Sequence, residues 1–175
     1  ETAYEESYGY MLGDYVRDKD AVTASLLLTE MAAHYAAQGM TVLDALQALY
    51  EKHGFYGEKT HNLVMPGLDG LKDMAALMKR LREEPPRDIA GVAVVQFKDY
   101  ADGSVVDCAT GEKSSMELSG SNVLRFELAD GTSIIVRPSG TEPKIKVYVL
   151  TKGAGAAERD ANIAKYGQWV DTLKK

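Results

Sequence analysis

The sequence predicts an α+β protein in two parts. Helices dominate the first, and a mostly antiparallel sheet of roughly four strands, packed by a helix, makes up the second. Three observations carry this. Apolar residues recur at helical spacing in three segments before Pro85. After Pro85-Pro86 the period changes to two, most plainly in Val123-Leu124-Arg125-Phe126-Glu127-Leu128. A last helical stripe of Ile163, Tyr166, Val170 and Leu173 then follows the strands.

Taken in order, residues 1–13 are rich in aromatic and acidic side chains and hold no complete element. They read as the middle of a domain, so the chain is expected to be a fragment of a longer protein. Glu5-Glu6-Ser7-Tyr8-Gly9-Tyr10 reads as a loop, with Gly9 and Gly13 permitting tight turns. Val22, Leu26, Leu27, Met31 and Tyr35 mark a first helix, whose start suits Asp18 and Asp20. Gly39 stops it. A second helix covers about 42–52, with Thr41 and Asp44 at the offset of a capping box. Residues 60–64 are expected as a short strand. A third helix covers about 68–84, with Leu71, Met74, Met78 and Leu81 on its apolar stripe. Pro85-Pro86 ends it, and a domain boundary is placed there, giving parts 1–86 and 87–175.

In the second part, strands are expected at 92–97, 123–128, 133–136 and 145–149, with 98–121 as a long polar loop. Asp130-Gly131 is a hairpin turn, since glycine accepts positive φ at no steric cost.

Composition limits the function. The 175 residues are 45% hydrophobic, enough for a buried core. A net charge of −6 argues against a nucleic-acid binder, which presents a basic face. The single cysteine, Cys108, precludes an internal disulfide and points to a reducing compartment. No apolar run reaches the roughly 18 residues of a membrane span, and no signal-peptide pattern opens the sequence. A cytoplasmic protein without membrane partners is expected. The histidines His34, His53 and His61 are far apart, and no metal-ligand spacing occurs.

Three clusters have chemical potential. Arg137-Pro138-Ser139-Gly140-Thr141-Glu142-Pro143-Lys144 joins two β-branched runs. Its guanidinium, two hydroxyls and glycine amide are the parts of a phosphate clamp, and equally the parts of a hairpin turn with a surface arginine. Glu5, Glu6 and Ser7 offer acceptors for vicinal sugar hydroxyls, or form a plain polar turn, or a carboxylate pair for hydrolysis. Arg17-Asp18-Lys19-Asp20 is a solvated charge cluster, or places Lys19 for a ligand, since a cation at a helix N-terminus opposes the dipole.

These same stretches, with Ser121-Asn122-Val123-Leu124 between them, occur in the order found in the α-D-phosphohexomutase superfamily. The sequence resembles the end of the third domain and all of the fourth in its bacterial phosphoglucomutase branch. The resemblance implies a partial α/β third domain followed by a TBP-like fourth. It implies that Glu5 and Ser7 read sugar hydroxyls and that Lys19 lies near the reacting sugar, with a possible assisting role. It implies that Arg137, Ser139, Gly140 and Thr141 bind the non-reacting phosphate, with Lys146 a further basic candidate. The parent would be an intramolecular phosphotransferase, an isomerase of carbohydrate metabolism interconverting glucose 1-phosphate and glucose 6-phosphate. It would work through a phosphoserine and a bisphosphate intermediate, with Mg²⁺.

The family's serine loop and its Asp-Gly-Asp-Gly-Asp metal loop belong to earlier domains, and neither pattern is present in this sequence. The chain alone is therefore expected to be inactive and to bind no Mg²⁺, with the missing N-terminal domains and a phosphosugar as its partners. Glu5-Glu6-Ser7-Tyr8-Gly9 differs from the Glu-x-Ser-Gly-His form of phosphomannomutase relatives, which favours glucose. A phosphopentomutase or phosphomannomutase fragment, or a non-catalytic phosphosugar-binding module, are the alternatives.

Overall fold

In the computed structural model, which describes residues 2–5 and 8–174, the chain divides into two units at His53/Gly54. The first unit begins with a small antiparallel hairpin of β1 (Thr2–Tyr4) and β2 (Tyr10–Leu12), where no element was expected. Only three residues pair on each side, too few to leave an alternation in the sequence. Two helices follow, α1 (Ala21–Ala36) and α2 (Val42–His53). Asp20 caps α1, its carboxylate accepting from the amides of Val22 at 2.9 Å and Thr23 at 3.4 Å. At α2 the capping box is complete: the Asp44 amide donates to the Thr41 hydroxyl at 3.1 Å, and the Thr41 amide donates to the Asp44 carboxylate at 2.8 Å.

The α1 stripe is not a core. No residue of α1 is buried, and Val22 and Leu26 are 79% and 60% exposed. Met31 and Tyr35 are half-buried, and Ala45 of α2 is buried.

The second unit contains β3 (Phe55–Val64), α3 (Gly70–Glu83), β4 (Asp88–Ile89), β5 (Val92–Asp99), β6 (Ser104–Asp107), β7 (Lys113–Ser115), β8 (Leu124–Leu128), β9 (Ser133–Pro138), β10 (Lys144–Gly153) and α4 (Ala156–Thr172). The four expected strands form the centre of one antiparallel sheet, in the order β10-β9-β8-β5. Among the described residues that sheet is larger than expected. Strand β3 extends it beyond β10, β6 and β7 extend it beyond β5, and the short β4 pairs with β5. The segment 98–121 is thus not one loop.

Alternation puts Leu124, Phe126, Ile134, Val136, Ile145, Val147 and Val149 on one face, each 0% exposed. Helices α3 and α4 cover that face with Leu77, Met78, Leu81, Tyr166 and Val170, and Leu173 just past the end of α4 joins them. Each such side chain removed from water contributes about 1.5–3 kcal/mol. Leu71, expected in the α3 stripe, is 61% exposed, and Leu77 takes its place in the core.

This packing corrects the boundary at Pro85-Pro86. Strand β3 pairs with β10 over ten residue pairs, from Phe55–Gly153 to Val64–Lys144. Helix α3 shares the core of the sheet. Both belong to the second unit, and the two prolines only join α3 to β4 within it.

The Asp130-Gly131 turn forms as expected, with Gly131 at φ +79° and the Thr132 amide donating to Asp130 at 2.9 Å. The Tyr166 hydroxyl of α4 donates to the same carboxylate, fastening the last helix to the hairpin. Burial, then the bond to Asp130, raise the Tyr166 pKa, so the phenol stays protonated and remains the donor.

Candidate functional site

Two clefts coincide with clusters singled out in the sequence, one in each unit. In the second unit, the turn between β9 and β10 opens a cleft of about 340 Å³ lined by Arg137, Ser139, Gly140, Thr141, Glu142 and Lys146, among others. The turn is held by its own backbone. The Ser139 amide donates to the Lys144 carbonyl at 2.8 Å, and the Met65 amide donates to the Pro143 carbonyl at 2.8 Å. The Ser139 oxygen accepts weakly from the amides of Thr141 at 3.4 Å and Glu142 at 3.3 Å. Its own proton is not used in those bonds and remains a donor for an anion.

Arg137 is exposed, and among the described residues no ion pair or side-chain hydrogen bond holds its guanidinium. Lys144 behaves differently, being ion-paired with Glu142. Lys146 lies directly opposite Arg137 across the β9–β10 pair, so the two cationic side chains leave the same face of the sheet. A side chain added at Gly140 would meet no atom within 4 Å, which leaves its backbone open to a ligand. An unpaired fork, a second cation, two hydroxyls and an open turn are groups with the chemistry to bind an anion.

In the first unit, a cleft of about 220 Å³ is lined by Ala3, Tyr4, Glu5, Gly9, Met11, Arg17, Asp18 and Lys19. The turn that carries Glu5 is closed by its amide donating to the Gly9 carbonyl at 2.9 Å. Asp18 and Lys19 pair at 3.1 Å. The hydrogen bond to Asp18, the charge of that carboxylate and then the charge of Glu5 raise the Lys19 pKa above its ordinary value. Glu5 and Lys19, fourteen residues apart in sequence, are therefore electrostatic neighbours. Ser7 lies outside the described residues.

Gly9 has a different role from the turn glycine expected. Among the described residues of this loop, the positive φ, +64°, belongs to Tyr8. Gly9 instead gives room: a β-carbon there would lie 2.2 Å from Lys19 Cδ and 2.7 Å from Glu5 Oε1. The sequence signal for this was only a glycine next to a candidate ligand-binding triplet. Asp18, the carboxylate that holds Lys19, was read as a helix-start charge and its part in the cleft was missed.

With both clefts described, the family follows. The model of the phosphoglucomutase/phosphomannomutase C-terminal domain matches residues 62–162, and that of the phosphoglucomutase/phosphomannomutase alpha/beta/alpha domain III matches residues 1–53. The chain belongs to the phosphoglucomutase/phosphomannomutase family. It is 39% identical over 150 residues to a phosphoglucomutase of Staphylococcus aureus strain bovine RF122 / ET3-1, covering 86% of this chain and 27% of the relative. Against the phosphoglucomutase of Staphylococcus aureus strain N315 the identity is 38%, with the same 86% and 27% covered. The chain thus spans about 27% of the length of these relatives. Its fold is similar to that of the open form of parafusin, a phosphoglucomutase from Paramecium, with a TM-score of 0.55 and 21% identity over 96% of this chain and 29% of that one. The gap between the two matched segments, 54–61, begins where the contacts divide the chain.

The Mg²⁺ implied by the family does not fit the residues present. Asp102 and Asp107 are turned onto their own loops, accepting from the amides of Ser104 and Thr110, both at 2.8 Å. Among the described residues no three His, Cys, Asp or Glu side chains converge. Among them, too, no helix is long and apolar enough to cross a membrane.

Proposed function

We propose that this chain is the substrate-reading C-terminal part of a phosphoglucomutase that interconverts glucose 1-phosphate and glucose 6-phosphate. The observation that carries this is the β9–β10 turn, where Arg137 has no partner among the described residues while Lys146 stands across from it. In this reading Arg137, Ser139, Gly140, Thr141 and Lys146 hold the phosphate that is not being transferred. Glu5, Ser7 and Lys19 bind hydroxyls of the sugar. None of them is asked to form or break the P–O bond. That step belongs to a phosphoserine elsewhere in the parent and proceeds through a bisphosphate intermediate. The N-terminal domains are the chain's partners, the parent works in the cytoplasm, and Mg²⁺ is bound by those other domains.

Two features support this assignment. The sequence contains no aspartate-rich metal loop, and its relatives are about three times its length. Val22 and Leu26, one turn apart on α1 and both largely exposed, also leave apolar surface for a covering partner, as a helix in an α/β/α layer would have. The test is Arg137→Ala in the complete enzyme. KM for glucose 1-phosphate is expected to rise about tenfold, from loss of an exposed charged hydrogen-bonding pair. Unchanged kinetics would remove the phosphate-binding assignment.

A further inference from the structure

We propose that Asn62 is a specificity residue of the phosphate cleft, and that its side-chain amide reads a hydroxyl of the sugar whose phosphate rests on Arg137. This builds on the phosphate-binding reading of the β9–β10 turn.

Register places the residue. Arg137 of β9 faces Lys146 of β10, and Lys146 faces Asn62 of β3, so the three form one row across adjacent strands. Directly opposed residues in antiparallel strands point to the same side. That side is outward, because their neighbours Val136, Ile145, Val147 and Leu63 are 0%, 0%, 0% and 1% exposed on the inner face. Helices α3 and α4 contribute their apolar residues to that inner core. Asn62 is exposed, and among the described residues no hydrogen bond holds its amide.

Residue type agrees with the position. Asparagine is depleted in strands, and a position inside a ten-residue pairing, the third pair from its Val64–Lys144 end, gives it no turn or cap to make. Spacing then selects the ligand group. Two strand separations put Asn62 about 10 Å from the strand of Arg137. A phosphate seated on the turn does not extend that far, whereas the ring attached to it does. A carboxamide donates and accepts at once, which suits a hydroxyl; a phosphate oxygen needs donors only. His61, the neighbour on the same strand, is on the inner face and takes no part.

The experiment titrates the 175-residue chain with inorganic phosphate and, separately, with glucose 6-phosphate, following amide shifts or heat. The unaltered chain, Asn62→Ala and Arg137→Ala are compared, with melting temperatures to check the fold. Asn62→Ala is expected to bind phosphate as the unaltered chain does, and glucose 6-phosphate about three- to tenfold more weakly. Arg137→Ala is expected to weaken both. Equal affinity of Asn62→Ala and the unaltered chain for glucose 6-phosphate, or an equal loss for both ligands, overturns the role of Asn62. If phosphate fails to bind the unaltered chain, or binds Arg137→Ala undiminished, the phosphate reading itself falls.

Discussion

Lys19 lies across Gly9 so closely that a β-carbon on residue 9 would sit 2.2 Å from its Cδ. The same added carbon would be 2.7 Å from Glu5 Oε1, so one missing side chain lets a cation and a carboxylate share a cleft. Gly9→Ala must push the Lys19 stem aside. Binding of glucose 6-phosphate is expected to weaken, while the melting temperature moves little, because the stem is flexible and exposed. Calorimetry and a thermal melt on the same sample measure the two effects. A large loss of stability with intact binding would mean that Gly9 serves the backbone instead.

Gly70 is a second glycine set by close approach. A β-carbon there would lie 2.1 Å from the Met65 carbonyl oxygen and 3.0 Å from Pro143 Cβ. Met65 also bonds to Pro143 at the foot of the β9–β10 turn. Backbone cannot yield as a lysine stem can, so Gly70→Ala is expected to destabilise the second unit by about 1–3 kcal/mol. Denaturant melts would measure this, and amide shifts of Arg137 to Thr141 should move with it.

Phe126 is completely buried at the centre of the sheet and stacks on Phe97 with ring centroids 5.3 Å apart. Phe126→Ala is expected to cost about 3–5 kcal/mol in urea unfolding. Leu71→Ala, on an exposed position of α3, should cost well under about 1 kcal/mol.

Stability should also depend on pH through His61. Its Nε2 is sealed without a partner beneath α4, where a β-carbon on Gly167 would lie 2.9 Å from the ring. Burial, then the charge of Lys59, lower its pKa from 6.5; Asp171 opposes this and Lys174 adds to it. The unfolded chain therefore takes up the proton first. The contribution of neutral His61 is complete above about pH 6.5 and is lost as pH falls toward the lower folded value. Melting temperatures measured from pH 7.5 to 5 should fall more steeply for the unaltered chain than for His61→Leu.

Much of this was legible in the sequence, and the gaps have physical causes. The Thr41–Asp44 box and the Asp130-Gly131 turn are local chemistry, so they were readable, while Asp20 was read only as a charge at the start of α1 and is its cap. The four central strands alternate because one face is buried. Strand β3 was half-missed because it is an edge strand with Gly57, Glu58 and Lys59 in it, and long-range pairing with β10 creates it. Strands β6 and β7 were hidden because they are short, four and three residues, and sit within a polar segment. The boundary was misplaced because two prolines mark the end of a helix, whereas a domain is defined by what the helix packs on. At the β9–β10 cleft the turn residues that line it stand together in the sequence, but the row Arg137–Lys146–Asn62 needed the register. Gly9 needed coordinates, since glycine alone does not distinguish positive φ from close approach.

The central claim is that the β9–β10 turn holds a phosphate group. The most direct measurement is the backbone amide spectrum of the 175-residue chain during titration with glucose 6-phosphate. Saturable shifts at Arg137, Ser139, Gly140, Thr141 and Lys146 are predicted, lost in Arg137→Ala. Saturable binding that leaves these five amides unmoved, or shifts at them that persist in Arg137→Ala, would contradict the account.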